Sequence, residues 1–415
     1  MMQTLQQLMQ EYEGYKQKGL KLDMSRGKPC TEQLDLSEPL LTVLAHNSDC
    51  VGKNGVDYRN YGCLDGISEA KELFADLLGL KPDNVIVCGN SSLNLMYDTV
   101  ARAMMFGVGG HKPWKDCGKI SFLCVVPGYD RHFFVTQTFG INMISVPMLA
   151  DGPDMDQIEQ LVQSDASIKG IWCVPKYSNP DGITYSDEVV KRFANLSAAA
   201  PDFRIFWDNA YAVHDFDEQD QDTLLNIFDE AYRVGNEDMI YEFASTSKVT
   251  HPGAGVAVIC ASERNVAEIK KQMSAQTIGY DKLNQLRHVL YFGNADGLRA
   301  YMRKHAAIIR PRFEVVLQAF DQQLTGIAEW HRPKGGYFIS LNVPDGCASR
   351  VAQLMKEAGV VMTGAGATFP YGKDPRDRNL RIAPTYPTIE ELKTAVDILC
   401  LCVKIAALEK QEKGV

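Results

Sequence analysis

From about residue 68 to 262 the chain alternates short, nearly continuous apolar runs with longer segments whose apolar residues recur at helical spacing. The runs at 84–88, 120–126, 141–146, 170–174, 203–207, 239–243 and 256–260 are rich in β-branched residues and bounded by Gly, Pro, Asn or Asp. Such runs read as strands covered on both faces, because a strand with one wet face alternates apolar and polar positions. The segments 68–78, 92–105, 154–162, 187–196 and 221–232 carry the helical period. Their alternation with the strands predicts an α/β fold with a mostly parallel, doubly wound sheet. A helical pattern then runs from Asp281 to about Leu324, weakened near Gly293 and Gly297. Beyond it, strand-like 337–343 and 380–383 alternate with helical 348–358 and 389–408, and residues 1–19 read as an amphipathic helix. The expected division is a large domain at 50–290 and a smaller α+β domain built from 1–49 and 291–415.

Composition narrows the partners. The chain has 415 residues, 45% hydrophobic and 23% charged, which suits a folded protein of two or three domains. Lys+Arg 43 against Asp+Glu 52 gives 43 − 52 = −9, which argues against a nucleic-acid or anionic-membrane binder. The eleven cysteines are scattered, several in apolar runs, and have no zinc-ligand spacing, as in a reducing compartment. The N-terminus has no secretory-signal pattern, and no stretch approaches the ~20 apolar residues of a membrane span, so a cytoplasmic location is expected.

Several familiar signals are incomplete. The clusters Gly107-Val-Gly109-Gly110, Gly253-Ala-Gly255 and Gly364-Ala-Gly366 lack the strand, glycine turn and helix of a dinucleotide site. No GxxxxGK[ST], HExxH or GxSxG occurs. The eight histidines show no metal spacing; His214 and His251 lie near polar segments but read as structural.

Four segments fall at expected strand ends, where open α/β sheets bind ligands. Val87–Asn94 ends a strand in small polar residues and starts a helix; Ser91 and Ser92 there suit a phosphate, or Ser91 is a plain helix cap. In the stretch 172–182, Asn179-Pro180 marks a turn. In 205–211, Asp208 follows an apolar strand and needs a cation or a helix start to meet it. In 245–255, Lys248 sits among small polar residues after Ser245, and reads alone as a loop charge.

In this order the four segments resemble the class I aminotransferases of the fold-type-I pyridoxal phosphate group. The spacings from Asn179 to Asp208, 29 residues, and from Asp208 to Lys248, 40 residues, suit that group. Tyr61–Gly66, Pro127-Gly-Tyr129 and Asn379-Leu-Arg381 resemble further family segments, and the likeness covers about 25–400. Ser25–Pro29 and Pro333–Phe338 resemble an outlying aspartate aminotransferase subgroup. The resemblance implies pyridoxal 5'-phosphate as cofactor. It makes Lys248 the Schiff-base lysine and proton shuttle, and Asp208 the partner of the ring nitrogen. Asn179 and Tyr211 would donate to the phenolate oxygen and Tyr129 would stack on the ring. Ser91, Ser92 and Ser245 would hold the phosphate, with Tyr61 of a neighbouring subunit, so a homodimer with shared sites is implied. Arg381, with Asn179 and Gly27, would bind the substrate. The expected reaction is ping-pong transamination between an L-amino acid, aspartate for preference, and 2-oxoglutarate; transamination of aromatic or other amino acids, or a lyase reaction, are alternatives, and a DNA-binding regulator is not expected at a net charge of −9. One position departs: the family's phosphate-pairing arginine, about eight residues after the lysine, is Val256 here, leaving Arg26, Lys28 and Arg287 as candidate cations.

Overall fold

A computed structural model of the chain describes residues 4–412. The apolar runs form one eight-stranded sheet, in the order Val85–Val87, Ala257–Ala261, Ile240–Ser245, Arg204–Asp208, Ile168–Cys173, Ser121–Val126, Asn142–Leu149 and Gly152–Pro153. The five strands from Ile240–Ser245 to Asn142–Leu149 are mutually parallel. Ala257–Ala261 runs antiparallel to both its neighbours, and Gly152–Pro153 antiparallel to its one. The parallel set therefore opens its C-terminal ends on one edge, the place where such sheets bind ligands.

The sheet is buried on both faces, as its unbroken apolar runs require. On one face Phe122 packs against Trp114, Trp172 and Phe206, with ring centroids 5.4–5.7 Å apart. Gly170, paired with Phe122 across the ladder, makes room: a Cβ there would come within 2.6 Å of the Phe122 ring.

The two chain ends meet. The N-terminal helix Leu5–Lys16, capped by Thr4, packs on the C-terminal helix Ile389–Glu412 through Leu8 and Tyr12. Leu22–Met24 pairs in parallel with Val360–Met362. A three-stranded antiparallel sheet of Glu329–Trp330, Ile339–Asn342 and Asn379–Ile382 lies in the same cluster. Among the described residues no helix is long and apolar enough to cross a membrane.

Two expected elements differ. The pattern at 281–324 is two helices, Lys282–Phe292 and Ala295–Gln323. Gly293 (φ 72°) breaks it, and the Asn294 side chain caps the second helix on Gly297 N, so Gly297 lies inside a helix rather than at the break. The helix expected at 221–232 starts only at Ile227, because Asn226 accepts from the Phe228 and Asp229 amides and ends the preceding loop. Helices Asp130–Thr138 and Glu263–Met273 and the Leu22–Met24 ladder escaped the pattern reading; a three-residue strand leaves no period to read.

Glu242 stands on the strand beside Asp208, buried, with one oxygen taking a 2.9 Å hydrogen bond from the Asn209 amide. Burial raises its carboxyl from 4.5 to about 7. As pH rises from about 4.5 to about 7 the unfolded chain releases this proton while the folded protein keeps it, so stability falls through that window and levels above it. Glu242→Gln removes the titration. Its stability relative to wild type is expected to improve by about 3 kcal/mol between pH 4.5 and 8 in urea unfolding. A difference that does not change with pH contradicts this assignment.

Candidate active site

The strand Arg204–Asp208 delivers Asp208 to the open sheet edge, 3% exposed. No helix follows, so the carboxylate is not a helix cap. Its Oδ2 lies 3.0 Å from His132 Nε2, which donates to it, while Oδ1 is buried with no hydrogen-bond partner. His132 belongs to the first turn of helix Asp130–Thr138 and stacks on Trp172 at 4.6 Å and 11°. Trp172 Nε1 donates to Thr136 Oγ1 at 2.7 Å, and that hydroxyl donates to His132 O at 2.8 Å. The imidazole is thus locked by packing and by its neighbours' bonds. Tyr129 meets it edge-on at 5.0 Å, and burial, reinforced by Asp208 and Asp130, pushes the Tyr129 hydroxyl up to about 12.

Lys248 enters the same space from the loop after Ile240–Ser245. It is not a surface charge: burial lowers its amine below the ordinary lysine value, Arg381 adds to this and Asp208 opposes it. Its Nζ lies 5.0 Å from the Tyr211 ring centre and 5.9 Å from that of Tyr337. Tyr337 Oη donates to Lys248 O at 3.2 Å and accepts from Gln33 Nε2 at 2.9 Å. Tyr211 is buried, which holds its hydroxyl well above the ordinary value, with Tyr129 and Asp208 next in effect. His214 meets both tyrosine rings edge-on, and neither ring nitrogen has a partner. Burial, then Lys248, holds it well below the usual histidine range. His251 lies partly buried in the loop beyond Lys248.

Arg381 arrives from the small antiparallel sheet, 6% exposed. Its Nη1 donates to Asp130 Oδ1 at 2.7 Å and reaches Asn179 Oδ1 at 3.4 Å; Nη2 reaches Thr363 Oγ1 at 3.4 Å. The guanidinium lies 5.0 Å over the Phe338 ring. Gly27 leaves room for that ring, since a Cβ there would come 2.6 Å from Phe338 Cζ. Asn179 is buried on a turn closed by a 2.7 Å bond from Gly182 N to Ser178 O.

At the other end Ser91 precedes helix Ser92–Phe106, and its side chain makes no cap bond, so the plain-cap reading does not hold. Ser245 Oγ donates to Ser247 Oγ at 3.1 Å, and Ser247 Oγ to Asn90 O at 3.1 Å, which joins the lysine loop to this helix start. Amides and hydroxyls there can bind an anion. Val256 points into an apolar cluster with Val85, Val87 and Val258. Arg26 and Lys28 flank Gly27 at the Arg381 end, with Lys28 3.8 Å from Asp23. Arg287 is on the helix whose Asn284 donates to the Ala254 and Gly255 carbonyls at 2.9 Å, and its Nε is buried without a partner. Tyr61 is 82% exposed, apart from the cluster within this chain.

The structure therefore gathers Asp208, Tyr211, Lys248, Tyr129, Asn179 and Arg381, with Ser91, Ser92 and Ser245 at one end and Gly27 at the other. His132, Asp130, Tyr337 and Ser247 were missed by sequence reasoning. His132 and Asp130 stand within three residues of Tyr129, and that proximity was the available signal.

The family model for aspartate amino-transferase matches residues 1–414. The chain belongs to the aspartate amino-transferase family and is an aminotransferase of the fold-type-I architecture. It is 46% identical over 405 residues to an aspartate aminotransferase of Corynebacterium glutamicum, covering 97% of this chain and 93% of that one. It is 47% identical to a putative aminotransferase of Mycolicibacterium smegmatis, over 94% of this chain and 92% of the other. The crystal structure of an aspartate transaminase from Corynebacterium glutamicum superposes with a TM-score of 0.95 at 45% identity, covering 98% and 96% of the two chains.

Replacing His132 by Phe keeps a ring against Trp172 and removes the donor to Asp208. A hydrogen bond to a buried charge contributes about 1.5–3 kcal/mol, so kcat/KM in a transamination assay is expected to fall about 10- to 100-fold. A change within about twofold would show that Asp208 does not depend on His132.

Proposed function

We propose that the chain uses pyridoxal 5'-phosphate to move the amino group of L-aspartate to 2-oxoglutarate in two half-reactions at one site. The observation that carries the reading is the pairing of chemistries in one pocket: a buried carboxylate with one unpaired oxygen, Asp208, and a lysine amine whose proton affinity burial lowers, Lys248. An unpaired buried carboxylate oxygen fits a protonated pyridine nitrogen, which would satisfy it. The helix start at Ser91 and Ser92 and the serines of the lysine loop fit a phosphate.

When bound, the cofactor supplies an electron sink for the substrate α-carbon, provided its ring nitrogen stays protonated. Asp208 keeps that proton, and His132 holds the carboxylate in place. Lys248 would be the residue that holds the cofactor, and its amine would serve as the proton carrier at the substrate α-carbon. Burial lowers its amine below the ordinary lysine value, which suits it to give a proton up. Asn179 and Tyr211 would supply donors to the cofactor's phenolate oxygen, and Tyr129 an aromatic face for its ring. Ser91, Ser92 and Ser245 would hold the phosphate, and Arg287, on the helix that Asn284 ties to the Ala254 and Gly255 carbonyls, is the cation we favour. Arg381 binds the α-carboxylate against Asn179 and Gly27, a bidentate task that suits a guanidinium. Aspartate is preferred because a relative 46% identical over 405 residues is an aspartate aminotransferase. The exposed Tyr61 side chain is read as reaching the phosphate of a second subunit in a homodimer. Residues 50–290 are read as the cofactor domain, and the unpaired thiols as suited to the cytoplasm.

Purified protein is expected to absorb in the visible, and Lys248→Ala to abolish that band. A colourless wild-type protein that takes up no added pyridoxal phosphate would overturn the cofactor. With a panel of amino donors against 2-oxoglutarate, aspartate is expected to give the highest kcat/KM; an inert aspartate beside active aromatic donors would overturn the substrate alone.

A further inference from the structure

Arg381 already has a carboxylate partner within its own chain. Asp130 Oδ1 lies 2.7 Å from Nη1, and Asn179 Oδ1 approaches the same nitrogen at 3.4 Å. Both hydrogens of Nη1 are thereby directed at protein oxygens. A substrate carboxylate that binds the guanidinium side-on uses two parallel N–H···O bonds, so one that takes Nη1 and Nη2 must remove Asp130.

Asp130 is not needed to place the arginine. Phe338 beneath the guanidinium, Asn179 at Nη1 and Thr363 at Nη2 hold it from three other directions. What Asp130 alone supplies is negative charge. A buried guanidinium without a counter-charge is costly, and Asp130 is the acid paired with it among the described residues. Asp130 also has somewhere to go: its side chain is 34% exposed, and it is the first residue of helix Asp130–Thr138, where a carboxylate is favourable against the unbonded amides.

We propose that Asp130 is a place-holder carboxylate, which neutralises Arg381 between substrates and is displaced from Nη1 by each incoming α-carboxylate. The inference rests on the reading of Arg381 as the substrate-carboxylate residue. Asp130 acts through Arg381, so it is a positioning residue and not a catalytic one. Every substrate then binds with its intrinsic affinity reduced by the fraction of molecules in which Asp130 has let go. A charge-assisted bond contributes about 1.5–3 kcal/mol, which makes that reduction tenfold or more.

The test uses the holoenzyme and a non-reacting dicarboxylate, maleate, as probe. Asp130→Asn keeps the shape and removes the charge; Asp130→Ser is a second neutral variant whose hydroxyl suits a helix start. Both are expected to bind maleate about tenfold more tightly, to show KM values for aspartate and 2-oxoglutarate lowered by about the same factor, and to melt at lower temperature. A merely structural role would lower the melting temperature with no gain in maleate affinity, and unchanged or weaker maleate binding in a folded neutral variant overturns the proposal. Arg381→Leu separates the two readings. If it loses maleate affinity while the Asp130 variants gain none, only the place-holder fails. If it keeps wild-type maleate affinity, the assignment of Arg381 to the substrate fails.

Discussion

The site is organised around one buried carboxylate. Asp208 is carried below the surface by an apolar strand, bonded on one oxygen by His132 and left unpaired on the other. An ionised group in such a place is unfavourable unless nearby charge and hydrogen bonds compensate it. The neighbourhood brings a cation: the charges of Asp208 and Arg381 both bear on Lys248, and Arg381 itself pairs with Asp130. Glu242, one strand away, is buried with no cation beside it among the described residues, and burial raises its carboxyl. Two buried acids on adjacent strands thus have different neighbours: Asp208 has His132 on one oxygen and acts on Lys248, whereas Glu242 has the Asn209 side-chain amide.

The parallel sheet is what allows this. Strands Ser121–Val126, Ile168–Cys173, Arg204–Asp208 and Ile240–Ser245 all end at the same edge, and each continues into a loop that brings Tyr129, Asn179, Tyr211 or Lys248. The second, antiparallel sheet adds Arg381 and, through the segment before Ile339–Asn342, Tyr337 and Phe338. The two ends of the pocket differ in how they handle negative charge. One uses a helix start and serine hydroxyls, the other a guanidinium on an aromatic face, so a chain of net charge −9 can still receive anions locally.

The sheet and most helices were legible because each depends on a local period: 68–78 was readable from its own residues and is helical over the same span. Lys248, Asp208 and Arg381 stood out only through the resemblance of their ordered segments, since Lys248 by itself reads as a loop charge. The contacts that define the site were not legible. His132 and Asp208 are 76 residues apart, and Asp130 and Arg381 are 251 apart. A lone histidine in a helix's first turn carries no sign of the carboxylate it will meet. Val256 shows the opposite case: the absent arginine was visible in the sequence, but only packing explains it, because that side chain faces an apolar cluster that would not receive a cation.

The central claim is that the negative charge of Asp208 powers the chemistry. Its most direct test is the first half-reaction of the Asp208→Asn holoenzyme with aspartate, followed by stopped-flow absorbance at saturating substrate. Asparagine keeps the shape and a bond to His132 but cannot hold a proton on the cofactor, and the account predicts a rate lower by ~100-fold or more, as for removal of a single preorganised electrostatic group. A half-reaction within a few-fold of wild type would contradict it.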